Sequence, residues 1–467
     1  MSFKIRILLS MVAAVLTASI AVVVLITSMS IAELENNIHK ESQRDLIAKR
    51  ESITSQIKGY FAHIQKQIIT LSANTQTELA AKAFITSFNA YELERNNLSI
   101  DSINGTLQRY YTDEFGKKFG VLNVKEIATK PLYENLSNTT KLLQYDFIGN
   151  NPNSLGEKDK LTLPEGDTSY AKVHQRYHPD FQFFLQQFNF YDVFIVDSAS
   201  GNIIYSVFKE LDYATNLVNG PYAQTGIAEA FNKAKNLSKN ETYISDFKNY
   251  LPSYNGKASF IASPIEIDGE QKAILIFQMP IAEINSIMTH KNDWKNKGFG
   301  ENGETYLVGN ERTLLNESRF FVEDKQGYLA VIKKDSPSTA NSIKRQNTTV
   351  GIQTVNGLAS ESALKGKKGF TVLDDYRGES VLSAYGPIQY GTHTLALLSE
   401  VDEAEAYRAI GVLSGRIWQS AVIVILILAF ITLLLGYWLS VILTKPINKL
   451  GDEVTKLNSG DADLNVY

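Results

Sequence analysis

The sequence predicts an α+β protein in which a long N-terminal helix carries two similar antiparallel sheet modules, with an apolar helix at each end of the chain. Three observations support this class. Apolar stretches near both ends flank a mostly polar middle of the 467-residue chain. A helical stripe of apolar residues follows the first stretch. Runs of strand-forming residues, separated by turn signals, then occur twice in the same order.

The two apolar stretches have the length and composition of membrane-spanning helices. Residues 7–26 and 421–443 contain no acidic or basic side chain, and each is close to the ~20 apolar residues that cross ~30 Å of hydrocarbon. We therefore predict transmembrane helices over 7–28 and 418–443. A cleaved signal peptide is the alternative for the first stretch, but its apolar run exceeds the usual ~7 to 15 residues.

Basic residues beside the two stretches predict the topology of the chain. Lys4 and Arg6 precede the first stretch, whereas Lys445 and Lys449 follow the second. Because positive charge accumulates on the cytoplasmic side, residues 1–6 and the segment after the second helix are predicted to be cytoplasmic. The intervening residues, 29–416, are then extracytoplasmic.

Composition excludes several classes of protein. The net charge is only -4 and like charges do not cluster, so nucleic acid is not an expected partner. The absence of cysteine excludes disulfides, thiolate metal sites and a cysteine nucleophile. Stability must come from burial, to which the 23 Tyr and 23 Phe contribute.

A single long helix is predicted from about 31 to 90. The first proline is Pro131, and Gly59 is the only glycine before Gly105. The stripe packs either on its own domain or against a partner helix in a homodimer, and its heptads are too irregular to decide. Residues 93–170 are predicted to mix helices and loops. The stripe consists of Leu34, Ile38, Leu46, Ile53, Ile57, Ile64, Ile68 and Leu71.

The first sheet module is predicted over about 165–285. A hairpin, a helix and three further strands give a five-stranded antiparallel sheet with helices on one side. The hairpin strands are 192–196 and 203–208, the helix is 225–234, and the later strands are 241–247, 258–265 and 272–279.

A second module, over about 295–402, repeats this order. Its hairpin would pair 305–308 with 313–316, and its last strand would be 393–399. Pro387-Ile388 in this copy echoes Pro264-Ile265 in the first. An internal duplication is the simplest account.

The module segments resemble the double Cache sensor domain, a tandem of PAS-like sheets, of bacterial methyl-accepting chemotaxis proteins. The similar stretches are YDVFIVDSASGNIIYSVFKELDYATN at 191–216, NYLPSYNGKASFIASPI at 249–265 and GFGENGETYLVG at 298–309. The resemblance implies a receptor in the bacterial inner membrane that binds a small solute in the periplasm. It implies no enzyme activity and no cofactor.

The segment after the second apolar stretch is similar to the start of a HAMP domain, the relay between membrane helices and an output domain. Leu443-Thr444-Lys445-Pro446-Ile447 begins an amphipathic helix at a proline, and a Gly-Asp-x-Asp-Leu run follows at 460–464. We therefore predict a partial HAMP domain over 444–467. The resemblance implies methylation helices and contacts with the chemotaxis kinase and adaptor in sequence beyond Tyr467.

Two motifs suggest chemistry that their context does not support. Gly298-x-Gly300-x-x-Gly303 matches a dinucleotide fingerprint, but a strand follows it where that fingerprint opens a helix, so a flexible turn is predicted. His174 and His178, with Asp180, have the spacing of metal ligands. Pro179 instead predicts a helix terminus there, and no catalytic or metal site is predicted.

The resemblance also implies a set of ligand-binding residues. In double Cache receptors for amino acids, an Arg-x-Trp-Tyr run grips the carboxylate, and here only Tyr222 of that run is retained. Tyr243 and Asp246 stand, displaced by one, where a Tyr-x-Asp holds the amine, and Gln278 replaces an aspartate. We therefore expect a different ligand class.

Residues beside the first hairpin are a second set of candidate ligand contacts. Lys209 would favour an anion, Asp212 would favour a cation, and Tyr205 would add a hydroxyl. A surface salt bridge beside a sheet tyrosine is the alternative explanation of these three residues.

The function predicted from sequence is a transmembrane chemoreceptor for a small extracellular solute. The same sensor could serve a histidine kinase or a diguanylate cyclase, which only sequence beyond Tyr467 distinguishes. A membrane-anchored ectoenzyme and a structural or adhesive surface protein are alternatives from other classes.

Overall fold

The computed structural model describes residues 3–123 and 125–458. Its contacts divide the chain into two compact units, Met1–Ser42 with Ala404–Tyr467, and Gln43–Glu403. The helices are α1 (Phe3–Ser72), α2 (Thr75–Glu94), α3 (Ile100–Arg109), α4 (Lys117–Asn123), α5 (Lys130–Glu134), α6 (Asn138–Gln144), α7 (Ser169–Phe188), α8 (Gly226–Ala234), α9 (Ile281–Met288), α10 (Arg319–Glu323), α11 (Lys325–Asp335), α12 (Pro337–Gln346), α13 (Leu358–Leu364), α14 (Glu403–Ala406) and α15 (Arg408–Asn458).

Eleven strands complete the described elements: β1 (Asp192–Asp197), β2 (Ile203–Ser206), β3 (Tyr243–Ile244), β4 (Lys248–Tyr250), β5 (Gly256–Ala258), β6 (Phe260–Ile267), β7 (Glu270–Gln278), β8 (Glu304–Val308), β9 (Gly369–Asp374), β10 (Ser380–Tyr390) and β11 (His393–Asp402). Two further segments, Tyr110–Gly116 and Tyr145–Gly149, are π-helical. Elements and antiparallel sheets of this kind make the chain an α+β protein.

Among the described residues, two helices are long and apolar enough, by length and composition, to cross a membrane. Their apolar side chains are largely exposed, including Leu426 at 64% and Phe430 at 63%. The helix predicted to begin at Pro446 does not begin there, because α15 runs through this proline to Asn458. Proline inside a helix removes one backbone hydrogen bond and clashes with the preceding turn, yet α15 continues through Pro446. The Gly-Asp-x-Asp-Leu run at 460–464 lies outside the described residues.

The long helix predicted to reach about residue 90 ends at Ser72, and α2 begins at Thr75. Asn74 causes the break, because its side-chain oxygen accepts a hydrogen bond from the Gln76 N–H at 2.8 Å and caps α2. In the unit Gln43–Glu403 the apolar stripe is buried in the core of its own chain, with Ile57 and Ile68 fully buried.

The first sheet has five antiparallel strands in the order β2-β1-β7-β6-β3. Its predicted hairpin is confirmed, since β1 pairs with β2. The predicted strand 241–247 is shorter than expected: only Tyr243–Ile244 joins the sheet, and Lys248–Tyr250 pairs separately with β5. Every residue of β1 is buried, because strand-forming residues there face packed elements on both sides.

The second sheet has four antiparallel strands in the order β8-β11-β10-β9. The predicted partner strand 313–316 is wrong. Only isolated bridges form there, from Val308 to Leu314 and from Thr313 to Thr354. The Asn316 side chain takes the place of a backbone partner, since its Oδ1 accepts from the Leu307 N–H at 2.7 Å.

The predicted helix terminus at Pro179 is also wrong, because α7 continues to Phe188. Tyr177, Phe181 and Leu185 are buried on either side of the proline. Their packing against the core outweighs the one hydrogen bond that proline removes.

Both sheets contribute to one hydrophobic core in the unit Gln43–Glu403. Tyr390 of β10 joins them: its hydroxyl lies 2.7 Å from the Ser259 hydroxyl, and its ring packs 4.4 Å from that of Phe61 on α1. The first sheet, the second sheet and α1 are therefore in direct contact.

Candidate ligand-binding cavity

A cavity of about 230 Å³ lies beside the first sheet. Five segments line it: the π-helical segment Tyr110–Gly116 with α4, the loop before α7, the connection from α7 to β1, the loop after β2, and the turn between β4 and β5. Its lining residues are Tyr110, Phe115, Lys118, Leu155, Gly156, Lys158, Tyr191, Phe208, Lys209, Glu210, Leu211, Pro252 and Tyr254.

Asp192, at the start of β1, holds the loop that enters this cavity. Its Oδ1 accepts hydrogen bonds from the backbone N–H groups of Val193, Val207 and Phe208, at 2.7, 3.0 and 3.0 Å. Three amide donors on one oxygen fix the backbone just before Lys209. Asp192 therefore acts as a positioning residue for this loop.

Lys209 is a buried lysine in the cavity wall. It is 1% exposed, and its ammonium group donates to the Val207 carbonyl at 3.0 Å. Its Nζ also lies 5.8 Å from the centre of the Tyr205 ring. Burial lowers the pKa of Lys209 to about 7, although Asp192 and Asp159 oppose that shift. A buried amine that titrates near neutral pH in a cavity is a candidate functional group.

The π-helical segment contributes Tyr110 and Phe115 to the cavity wall. Tyr111 donates to Gln144 Oε1 at 2.8 Å, and the Gln144 amide donates to the carbonyls of Leu211 and Tyr213 at 3.1 and 2.8 Å. These contacts tie the segment to the loop that carries Lys209. π-Helical turns are rare and occur frequently at functional sites.

Two residues of the cavity lining have a strained backbone. Lys209 and Tyr254 adopt positive φ values of 56° and 55°. Side chains of this size disfavour the left-handed region, so each position costs free energy that surrounding contacts must offset. Strained residues of this kind cluster at binding sites.

Asp212 and Tyr222 lie behind this wall. The Tyr250 hydroxyl donates to Asp212 Oδ2, and the Tyr222 and Tyr250 rings are 6.1 Å apart. Burial raises the pKa of Asp212 to about 6. Among the residues that the structure describes, Asp212 Oδ1 and the Tyr222 hydroxyl have no hydrogen-bond partner.

Two other carboxyl groups border the cavity, and both have raised pKa values. Burial raises the pKa of Glu210 and that of Asp192, and the neighbouring Asp212 adds to both shifts. Both groups are therefore biased toward the neutral form at neutral pH.

The structure brings together four of the predicted ligand contacts. Lys209 lines the cavity, and Tyr205, Asp212 and Tyr222 are buried around it. Gln278 lies directly opposite Asp192 on β7 and lines a neighbouring groove of about 480 Å³.

Tyr243 and Asp246 lie apart from the cavity. The Tyr243 hydroxyl donates to Glu229 of α8 at 2.7 Å. Asp246 Oδ2 accepts from the Asn310 amide at 3.0 Å. Both side chains are occupied by structural hydrogen bonds outside the cavity lining.

The histidine pair is part of the core. The His174 and His178 rings stack 4.3 Å apart, and His178 contacts the Tyr205 hydroxyl at 2.8 Å and the Asp159 carbonyl at 2.6 Å. Burial and the nearby Lys209 lower the pKa of both rings far below the usual value. Asp180 is exposed.

The glycine motif forms the turn into β8, as predicted. Gly298 and Gly300 have positive φ values of 79° and 60°. The motif presents carbonyl groups, since the buried Arg319 guanidinium donates to the carbonyls of Gly300 and Gly303. A phosphate site needs backbone N–H donors instead. The carbonyl groups of this turn bind the Arg319 side chain of the same protein.

The sequence reading missed most of the cavity wall. Tyr110, Lys118, Lys158 and Tyr254 were not among the predicted contacts, because π-helical geometry and loop packing leave no periodic signal. Asp192 could have been found, since an acidic residue directly before the buried run Val-Phe-Ile-Val requires a partner.

No family model and no curated protein matches the chain. Solved structures do match, at low identity. The ligand-binding domain of the Pseudomonas fluorescens chemoreceptor CtaA with L-isoleucine is 12% identical, covering 47% of this chain and 72% of that one, with a TM-score of 0.26.

Two ligand-binding domains of Pseudomonas aeruginosa PAO1 amino acid chemoreceptors also match. PctC with GABA is 16% identical over 53% of this chain and 88% of that one, with a TM-score of 0.30. PctB with L-Arg is 14% identical over 51% and 85%, with a TM-score of 0.29.

Proposed function

We propose that this chain is a two-pass receptor of the bacterial inner membrane that binds a small periplasmic solute in the cavity beside Lys209. The observation that carries the proposal is the buried, strained Lys209 in a cavity wall that Asp192 and the π-helical segment hold in place. A lysine so placed costs stability, which selection tolerates where a ligand uses the charge.

The remaining architecture is proposed as the double Cache arrangement. The first sheet belongs to a membrane-distal module at about 165–285, and the second sheet to a membrane-proximal module at about 295–402. α1 enters the sensor from the first apolar segment, and β11 leaves it toward the second. Solute binding would change the relation between these two connections, provided that one signalling state binds the solute better.

The output is proposed to be chemotaxis signalling through a HAMP domain. The apolar residues Leu450 and Val454 are spaced by four on α15 and are exposed at 60% and 58%. Exposed apolar residues at this spacing would pack against a second helix in a homodimer. Contacts with the chemotaxis kinase and adaptor would follow beyond Tyr467.

A thermal-shift screen of the full chain in lipid nanodiscs tests the sensor proposal. The panel comprises amino acids, organic acids, amines, nucleobases and sugars. A solute at 100 times its dissociation constant adds ~2.7 kcal/mol to the free energy of unfolding. A shift for one chemical class supports the proposal. No shift with any class contradicts it and favours a structural or adhesive role.

A further inference from the structure

We infer that the cavity beside Lys209 takes a small organic carboxylate, with its negative charge among the ammonium groups of Lys209, Lys158 and Lys118. This inference rests on the proposed sensor function and adds the ligand class. It resolves the choice between the anion expected from Lys209 and the cation expected from Asp212.

The charges in the cavity wall favour an anion. Three lysines and one glutamate line it. Lys158 is 4% exposed and donates to the Asn151 carbonyl at 3.0 Å, while Lys118 is exposed and lies 4.4 Å from the centre of the Tyr254 ring. In the part of the chain that the structure describes, Lys118, Lys158 and Lys209 form no ion pair with a carboxylate.

The acidic groups nearby do not balance that charge. Glu210 accepts from the Tyr191 hydroxyl at 3.2 Å, and the raised pKa values of Glu210 and Asp192 favour their neutral forms. Asp212 would serve a cation, but it lies outside the cavity lining and bonds Tyr250. Asp159 and Glu114, which act on Lys209 and Lys158, also lie outside the lining. Within the lining, three basic groups therefore face one acidic group.

The rest of the wall favours a carbon skeleton rather than an inorganic anion. Tyr110, Phe115, Leu155, Phe208 and Pro252 supply aromatic and aliphatic surface. A volume of about 230 Å³ holds roughly eight water-sized groups, at about 30 Å³ each. A carboxylate with a body of a few carbons matches this size and these walls.

The affinity for a carboxylate should depend on pH, because Lys209 is positively charged only while it is protonated. The ionisable groups nearest Lys209 are Asp192 of β1, Asp159 of the loop before α7, Tyr205 of β2, and His174 and His178 of α7. Glu210, Lys118 and Lys158 share the cavity lining with it. The histidines remain neutral above acidic pH. Because the pKa of Lys209 in the empty protein is about 7, affinity for an anion falls about tenfold per pH unit above it.

Isothermal titration of the full chain in nanodiscs tests the ligand class with a matched set. Butyrate, lactate and succinate are compared with butylamine, butyramide, an L-amino acid and inorganic phosphate. We expect the carboxylates to bind best. Lys209→Met is expected to weaken carboxylate binding at least ~30-fold, as loss of one partner of a buried charge pair does.

A matched variant separates ligand recognition from folding. Lys257 is also buried, but its ammonium group is paired with Glu311. Lys257→Met should lower the melting temperature and leave carboxylate affinity unchanged, whereas Lys209→Met should raise the melting temperature while affinity is lost. A lysine that acts only as an internal partner of Asp192 would give the opposite result for Lys209→Met.

The outcomes distinguish the two proposals. Preferred binding of butylamine, the amino acid or phosphate, or equal carboxylate binding by Lys209→Met, overturns the carboxylate inference and leaves the sensor intact. Absence of binding by every solute of the wider screen overturns the sensor proposal itself.

Discussion

Glu304 and Glu400 lie directly opposite each other on the neighbouring strands β8 and β11, and both are 2% exposed. Each accepts a hydrogen bond from a tyrosine: Tyr376 donates to Glu304, and Tyr306 donates to Glu400 at 2.7 Å. Two carboxylates on one buried face cannot both be charged without a large cost.

This pair contributes stability that is lost as pH rises. Burial raises the pKa of Glu304 to about 7 and that of Glu400 to about 8; Arg377 opposes the first shift and Asp375 adds to both. The folded state therefore binds more protons than the unfolded state above about pH 4.5. The stability contributed by this pair falls from there to about pH 8, by up to about 1.4 kcal/mol per pH unit per group.

Glu400→Gln should remove part of that dependence, because the amide keeps the shape of the side chain and never ionises. Chemical denaturation of the full chain at pH 5 and pH 8 measures this. The change in the free energy of unfolding from pH 5 to pH 8 should be less unfavourable in the variant than in the wild type, because the variant lacks the contribution of Glu400. Equal pH dependence of the two proteins would show that Glu400 does not titrate in this range.

Arg319 should be among the costliest residues to remove. Its guanidinium is buried and donates to the carbonyls of Phe299 and Gly300 at 3.3 and 3.0 Å, and to that of Gly303. Arg319→Met leaves these carbonyls without a donor, and we expect a loss of about 3 kcal/mol. The exposed Arg345→Met serves as control, with a change within about 0.5 kcal/mol. Similar denaturation midpoints for the two variants would contradict this role.

Asp192 should stabilise its loop through hydrogen bonding rather than charge. Asp192→Ala removes the acceptor of three backbone N–H groups, and we expect a loss of about 3 kcal/mol. Asp192→Asn keeps an oxygen acceptor and should recover most of that loss. If the asparagine variant is as unstable as the alanine variant, the negative charge is what the fold requires.

The proposed topology can be measured cleanly because the chain contains no cysteine. Asn97→Cys places a thiol at an exposed position before α3, and Gly451→Cys places one at an exposed position after the second apolar stretch. A membrane-impermeant maleimide applied to spheroplasts should label the first variant and spare the second until lysis. Labelling of both, or the reverse order, would contradict the two-pass arrangement.

The strands were predictable where local pattern determines them. The run Asp192–Asp197 is rich in strand formers and is followed by turn residues, so its pairing with β2 could be inferred from sequence. The break at Asn74 was also readable, because Asn is a preferred N-cap. The prediction of one continuous helix overlooked this break, because the apolar stripe favours a helix on both sides of Asn74.

The cavity could be predicted only in part, because it depends on contacts between distant segments. The sequence singled out Lys209, but its burial requires the π-helical segment and the loop before α7, which are far away along the chain. Tyr243 and Asp246 were selected by resemblance, and both lie outside the cavity lining.

Hydrogen–deuterium exchange of the full chain in nanodiscs tests the central claim, that a solute binds between the Lys209 loop and the π-helical segment. With the carboxylates of the matched set, amide exchange in Tyr110–Gly116 and in residues 207–213 should slow. Lys209→Met should abolish that protection. Protection confined to the groove lined by Gln278 and Gln346, or equal protection in the variant, would contradict the account.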